Sequence, residues 1–98
     1  MKKQRQPTEI IKDILEIVRS RRKIKKTRLS VASNISRNVS KSYFQGVIDS
    51  GLIKKDGNQY LSITEKGLEF LKEYKSFETF LEKYGLKELV VAEWNQKQ

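Results

Sequence analysis

The chain has 98 residues with no Cys and no His, which excludes disulfides, thiolate and imidazole chemistry, and the usual transition-metal ligands. Its net charge of +9 is uneven: residues 1–28 hold eleven Lys or Arg against three acids, residues 29–58 four against two, and residues 59–98 six against seven. Bases that serve solubility alone would be scattered, whereas a one-sided basic field suits a polyanion such as nucleic acid.

Residues 1–7 read as a mobile basic arm. From Thr8 to Arg22, Ile10, Ile11, Ile14, Leu15, Ile17 and Val18 recur every three to four residues, which marks an amphipathic helix; Thr8 after Pro7 is its expected N-cap. The basic run Arg21–Lys26 contains one apolar residue, Ile24, and is read as a short edge strand that buries it. Thr27 is then expected to cap a short helix to Ser33 with Leu29 and Ala32 inward.

Ser36 is the next expected N-cap, with Ile35 before it as a hydrophobic staple. The helix Arg37–Ser50 has Val39, Tyr43, Phe44, Val47 and Ile48 as its apolar side and Arg37, Asn38, Lys41, Ser42 and Gln45 opposite. Gly51 fits the left-handed position after a helix end. Gly46 costs about 1 kcal/mol relative to Ala inside a helix, so close packing against another helix is expected there.

A hairpin follows. With Asp56-Gly57-Asn58 as a three-residue loop, Ile53 opposes Leu61 and Lys54 opposes Tyr60. Ile53, Leu61 and Ile63 then share the buried face, and Lys54, Tyr60 and Ser62 the exposed one. Thr64 caps a helix that can run to Tyr84, with Leu68 and Leu71 in the core. Phe70, Tyr74, Phe77, Leu81 and Tyr84, spaced four, three, four, three, form a short coiled-coil seam. Gly85 ends or bends this helix, and Leu86–Trp94 continues as a second helical piece. Six of the nine aromatics fall in residues 64–94; left exposed they would make a large apolar patch, and dimerisation covers them most economically.

The fold class expected from this order is mainly α with a small β-hairpin: a winged helix-turn-helix with a long C-terminal helix. Residues 1–63 form the winged core and 64–98 a helical dimerisation region packed on it, a single domain overall. Arg, Asn and Gln match base edges in paired donor–acceptor sets. The face of Arg37–Gln45 mixes these with Lys and Ser and meets no acid before Asp49, which suits a recognition helix lying in the major groove better than the other reading, a solvated helix face. The candidate DNA-binding residues are Arg22, Lys25, Lys26, Arg28, Ser36, Arg37, Asn38, Lys41, Ser42, Gln45, Lys54 and Lys55. The candidate dimer interface is Phe70, Tyr74, Phe77, Leu81, Tyr84 and Trp94.

The motifs Lys26-Thr27-Arg28-Leu29, Ser33-Asn34-Ile35-Ser36, Gly51-Leu52-Ile53 and Tyr60-Leu61-Ser62-Ile63-Thr64-Glu65-Lys66-Gly67-Leu68-Glu69-Phe70-Leu71 carry a family resemblance. Together they resemble the small archaeal winged-helix proteins of the Sulfolobus ten-kilodalton DNA-binding type. The resemblance covers most of residues 8–84 and runs without gaps from Asn34 to Ile53. It implies dimerisation through an antiparallel C-terminal coiled coil and binding of double-stranded DNA in a chromatin or regulatory role. Ser40 stands where that family usually has an apolar residue, and Gly85 interrupts the long helix.

The expected partners are double-stranded DNA and a second copy of the chain, with no cofactor, no metal, no membrane and no small-molecule ligand. An enzyme is not expected, since carboxylates are the only acid–base groups near neutral pH and nothing pairs them in a recognisable site. No apolar run exceeds Leu89–Ala92, and the lysine-rich start leads into no signal-peptide apolar region. A cytoplasmic, nucleoid-associated location is expected. The competing reading is a winged-helix protein-interaction module with only non-specific nucleic-acid affinity. An RNA reader is a third, weakened because Tyr60 is the only aromatic near the basic surface available for base stacking.

Overall fold

The computed structural model describes residues 6–86. Their order is α1 (Pro7–Arg21), β1 (Ile24–Lys25), α2 (Lys26–Ser33), α3 (Arg37–Asp49), β2 (Ile53–Lys55), β3 (Tyr60–Ile63) and α4 (Glu65–Lys83). The strands form one antiparallel sheet in the order β1-β3-β2. This is a mainly helical winged helix-turn-helix with a long C-terminal helix, as the sequence leads one to expect.

One core joins the elements: Ile14, Leu15 and Val18 of α1, Ile24, Leu29, Phe44, Val47, Ile53, Leu61 and Leu71. The second row of α1, Ile10, Ile11 and Ile17, packs half-buried against the same core. The wide stripe of α1 thus serves α2, β3 and α4 at once. Ile24 is buried and pairs with Leu61, which anchors the basic turn to the sheet.

Two helix starts differ from the expectation. Pro7, not Thr8, begins α1, after Gln6; proline has no N–H to leave orphaned and its φ is already helical. Helix α2 starts at Lys26 after Lys25 and has no side-chain cap, so Thr27 does not cap it. Its inward row is Leu29 and Ser33, four apart, and Ala32 is exposed. Ser36 does cap α3, accepting from the Val39 N–H at 3.4 Å.

The inward row of α3 is Ser40, Tyr43, Phe44 and Val47, which turns Val39 out to 45% exposure. Ser40 is buried at the elbow and its hydroxyl accepts from Ser30 Oγ at 3.3 Å. Nothing lies within 4 Å of where a Cβ on Gly46 would stand, so close helix packing is not its reason. Gly51 (φ 82) and Gly85 (φ 68) end α3 and α4 in left-handed caps. There Leu52 N–H reaches Val47 O at 3.0 Å and Leu86 N–H reaches Leu81 O at 2.8 Å. Helix α4 therefore stops at Lys83.

The hairpin register is Ile53↔Ile63, Lys54↔Ser62 and Lys55↔Leu61, two residues away from the expected pairing. The Asp56 carboxylate accepts from the Asn58 and Tyr60 N–H groups at 2.8 and 3.0 Å. Asp56 N–H also donates to Tyr60 O, and Gln59 takes a positive φ of 69. The reversal is thus made by Gly57–Gln59, with Asp56 paired across it. A two-residue slip preserves side-chain parity, so Ile53 and Leu61 are buried as expected.

Thr64 joins three parts of the wing. Its Oγ1 accepts from the Gly67 N–H at 3.1 Å and donates to Gly51 O at 2.6 Å. Lys66 Nζ reaches Ser50 O at 2.8 Å. The inward row of α4 then runs Gly67, Leu71, Tyr74, Glu78 and Leu81, which leaves Leu68 exposed rather than in the core. Tyr74 lies under Lys12 of α1, with Nζ 5.7 Å from its ring centre. Burial pushes its phenol upward in pKa, and Glu9, Glu78 and Asp13 add to this against a lowering hydrogen bond with Thr8.

Candidate nucleic-acid interface

The site is built from three stretches: the turn leading into β1 and α2, the outward face of α3, and the wing. Arg22 ends α1 with φ 66 and ψ −50, and Lys23 N–H closes back to Arg21 O at 2.7 Å. This is a γ-turn of the strained kind, and it leads the basic run directly into β1. Arg22, Lys25, Lys26 and Arg28 are all exposed.

On α3, Asn38, Lys41, Ser42 and Gln45 are exposed, as is Ser36 at its cap. The side chain of Arg37 lies outside the described residues. Gln45 Nε2 donates to Asp49 Oδ1 at 2.8 Å and Ser42 Oγ donates to Val39 O at 3.1 Å. Reading a base with Gln45 therefore means exchanging its bond to Asp49. Helices α2 and α3 border an open groove of about 1100 Å³, lined by Lys26, Lys41, Ser42 and Gln45 together with Thr27 and Val31. Four candidates from separate helices thus share one concave surface.

Lys54 and Lys55 are exposed on β2, and Lys54 faces Ser62 across the pair. On the other side of β3, Lys25 pairs with Tyr60. The ring of Tyr60 lies 5.1 Å from Lys23 Nζ and 5.2 Å from Lys25 Nζ. Lys23 and Tyr60 were not among the candidates. Their association follows from strand pairing, and a two-residue strand carries no periodic signal. The acid at the wing, Asp56, is held below its ordinary pKa, first by the hydrogen bond from Tyr60 N–H and then by those from Asn58 and the charge of Lys23. Both turn N–H groups donate to its Oδ1.

The candidate interface residues of α4 separate into two sets. Phe70 and Tyr74 are half-buried against their own chain with ring centres 6.1 Å apart, and Leu81 is buried. Phe77 and Tyr84 are 55% and 60% exposed, joined by Phe80 at 54%, whose ring meets Tyr84 edge-on at 5.2 Å. Trp94 lies outside the described residues. Among the described residues no group of acids could hold a metal ion, and no helix is long and apolar enough to cross a membrane.

A family model for the winged helix-turn-helix matches residues 4–82. Among solved structures the chain is similar to Sso10a-2, a DNA-binding protein from Sulfolobus solfataricus, with a TM-score of 0.66 and 26% identity, covering 92% of this chain and 96% of that one. The resemblance carried by the Lys26–Leu71 motifs is thus met by a solved Sulfolobus structure. The multiple antibiotic-resistance repressor MarR of Listeria monocytogenes is similar with a TM-score of 0.59, covering 90% of this chain and 68% of that one; at 20% identity the likeness is one of fold. No curated protein matches.

Proposed function

The chain belongs to the winged helix-turn-helix family, and on that footing we propose that it binds double-stranded DNA as a homodimer. Helix α3 enters the major groove, while the basic turn and the wing neutralise phosphate. The role is that of a transcription regulator or chromatin-associated protein in the cytoplasm, at the nucleoid. The observation that carries the reading is the outward face of α3, where Asn38, Lys41, Ser42 and Gln45 stand exposed, the last three lining a groove with Lys26 of α2. Such a face supplies paired donors and acceptors for base edges and cations for the backbone. The DNA-binding description of Sso10a-2 supports the same assignment. The exposed row Phe77, Phe80 and Tyr84 supports self-association through α4.

Footprinting on genomic DNA at physiological salt, with sedimentation of the free protein, tests this reading. Discrete protected sites with inverted-repeat symmetry are expected for a regulator, and uniform coating for an architectural protein. Binding set by charge alone and no stronger than that of other basic proteins would overturn it in favour of a protein-interaction module.

A further inference from the structure

Two large aliphatic side chains of the helix-turn-helix, Val31 of α2 and Val39 of α3, stand exposed at 78% and 45%. The other large apolar side chains exposed among the described residues belong to α4 or to Tyr84 and Leu86 just after it. Val39 fills no core space, because the inward row passes through Ser40. Helix propensity does not favour it either, since β-branched residues are poorer helix formers than Ala. It stands in the first turn of α3, and its amide is capped by Ser36. The N-terminal part of a recognition helix is the part that reaches base edges, whereas the preceding helix crosses the backbone. In the major groove, thymine alone offers a methyl group, which apolar side chains can contact.

We propose that Val39 reads thymine, its methyl groups packing on the thymine 5-methyl, and that it biases the protein toward A·T-containing sites. The polar face beside it supports this placement. Asn38 and Ser42 flank Val39 on the helix and are exposed. Ser42 directs its hydroxyl onto the Val39 carbonyl, so it does not cover the valine with a competing donor. Gly46, one turn and three residues further on the same flank, adds no side chain where the helix would approach the groove. The inference rests on the DNA-binding reading above.

Replacing thymine by uracil removes only the methyl group and leaves the pairing edge intact. The full-length protein is therefore titrated by fluorescence anisotropy with an alternating dA–dT duplex and with its dA–dU counterpart. Loss of one buried methyl is worth about fourfold in affinity, so wild type should prefer the thymine duplex by about that factor. Val39→Ala should erase the preference while still binding both duplexes, and Val39→Thr, which keeps one methyl, should fall between. Leu68→Ala, which removes an exposed apolar side chain of α4 outside the DNA-binding candidates, should leave the preference intact. Circular dichroism checks that each variant is folded. An equal thymine preference in wild type and Val39→Ala, or none in wild type, overturns the assignment and leaves DNA binding standing. Failure of wild type to bind either duplex overturns both.

Discussion

Two glycines on different helices have opposite expectations. A Cβ on Gly67 would fall on the Leu52 carbonyl oxygen and lie 2.6 Å from Ile63 Cγ1. Helix α4 can meet the wing this closely only without a side chain there, so Gly67→Ala should cost about 1–3 kcal/mol in urea denaturation. Gly46 faces open space, so Gly46→Ala should instead stabilise by up to about 1 kcal/mol through helix propensity alone. Asp56 sets a pH response. Its carboxyl is held below the ordinary value mainly by the Tyr60 N–H. A depressed pKa contributes stability that is present above the unfolded value and is lost as pH falls through the folded one. Acidification through and below the ordinary aspartate range should therefore lower the protection of the Asn58 and Tyr60 amides, measured as exchange relative to the intrinsic rate at each pH. Asp56→Asn keeps an acceptor oxygen but should show no such pH dependence.

At the level of elements, α3 and the wing are expected to contribute differently to binding. Arg37→Ala or Asn38→Ala should weaken a preferred site by roughly 1–3 kcal/mol more than random DNA if either makes a bidentate base contact. Lys54→Ala and Lys55→Ala should weaken both DNAs alike and lower the salt slope. Parallel titrations on a selected site and a scrambled one make the comparison; equal losses for all four would mean that α3 touches only phosphate. The edge position of β2 gives Lys54 and Lys55 a second role, since charge on an edge strand also discourages pairing with another chain.

For the whole molecule, charge and symmetry set the expectations. A dimer neutralising six to ten phosphates should lose about 10³- to 10⁵-fold in affinity between low and moderately high salt. A flat response would be inconsistent with the eleven bases of residues 1–28. Self-association through α4 should bury Phe77, Phe80 and Tyr84, each worth roughly 1 kcal/mol or more when taken from half-exposed to covered. Phe77→Glu should give a monomer in sedimentation equilibrium, with weaker DNA binding because two half-sites are no longer coupled. Leu81→Glu is a poorer probe, because Leu81 is buried within its own chain and a charge there threatens the fold. A wild-type monomer at micromolar concentrations would mean that α4 serves its own domain only.

Much of this architecture was legible in local signals. The periodic apolar residues of α1, the Ser36 and Thr64 caps and the left-handed glycines after α3 and α4 each act within one turn of chain, so composition and spacing determine them. The basic bias of the first third was equally plain, as was the polar face of α3. What only tertiary structure decided was phase and register. Whether Val39 or Ser40 faces inward depends on where Phe44 and Val47 meet the core, and the answer exposed a valine among candidate base readers. The hairpin register depended on the hydrogen bonds of Asp56, which shift it by two residues while leaving the buried face unchanged. The split of the α4 seam into a half-buried part and an exposed one depended on α4 lying against α1. A helical stripe states which residues share a face; it is the neighbouring element that decides how much of that face remains for a partner.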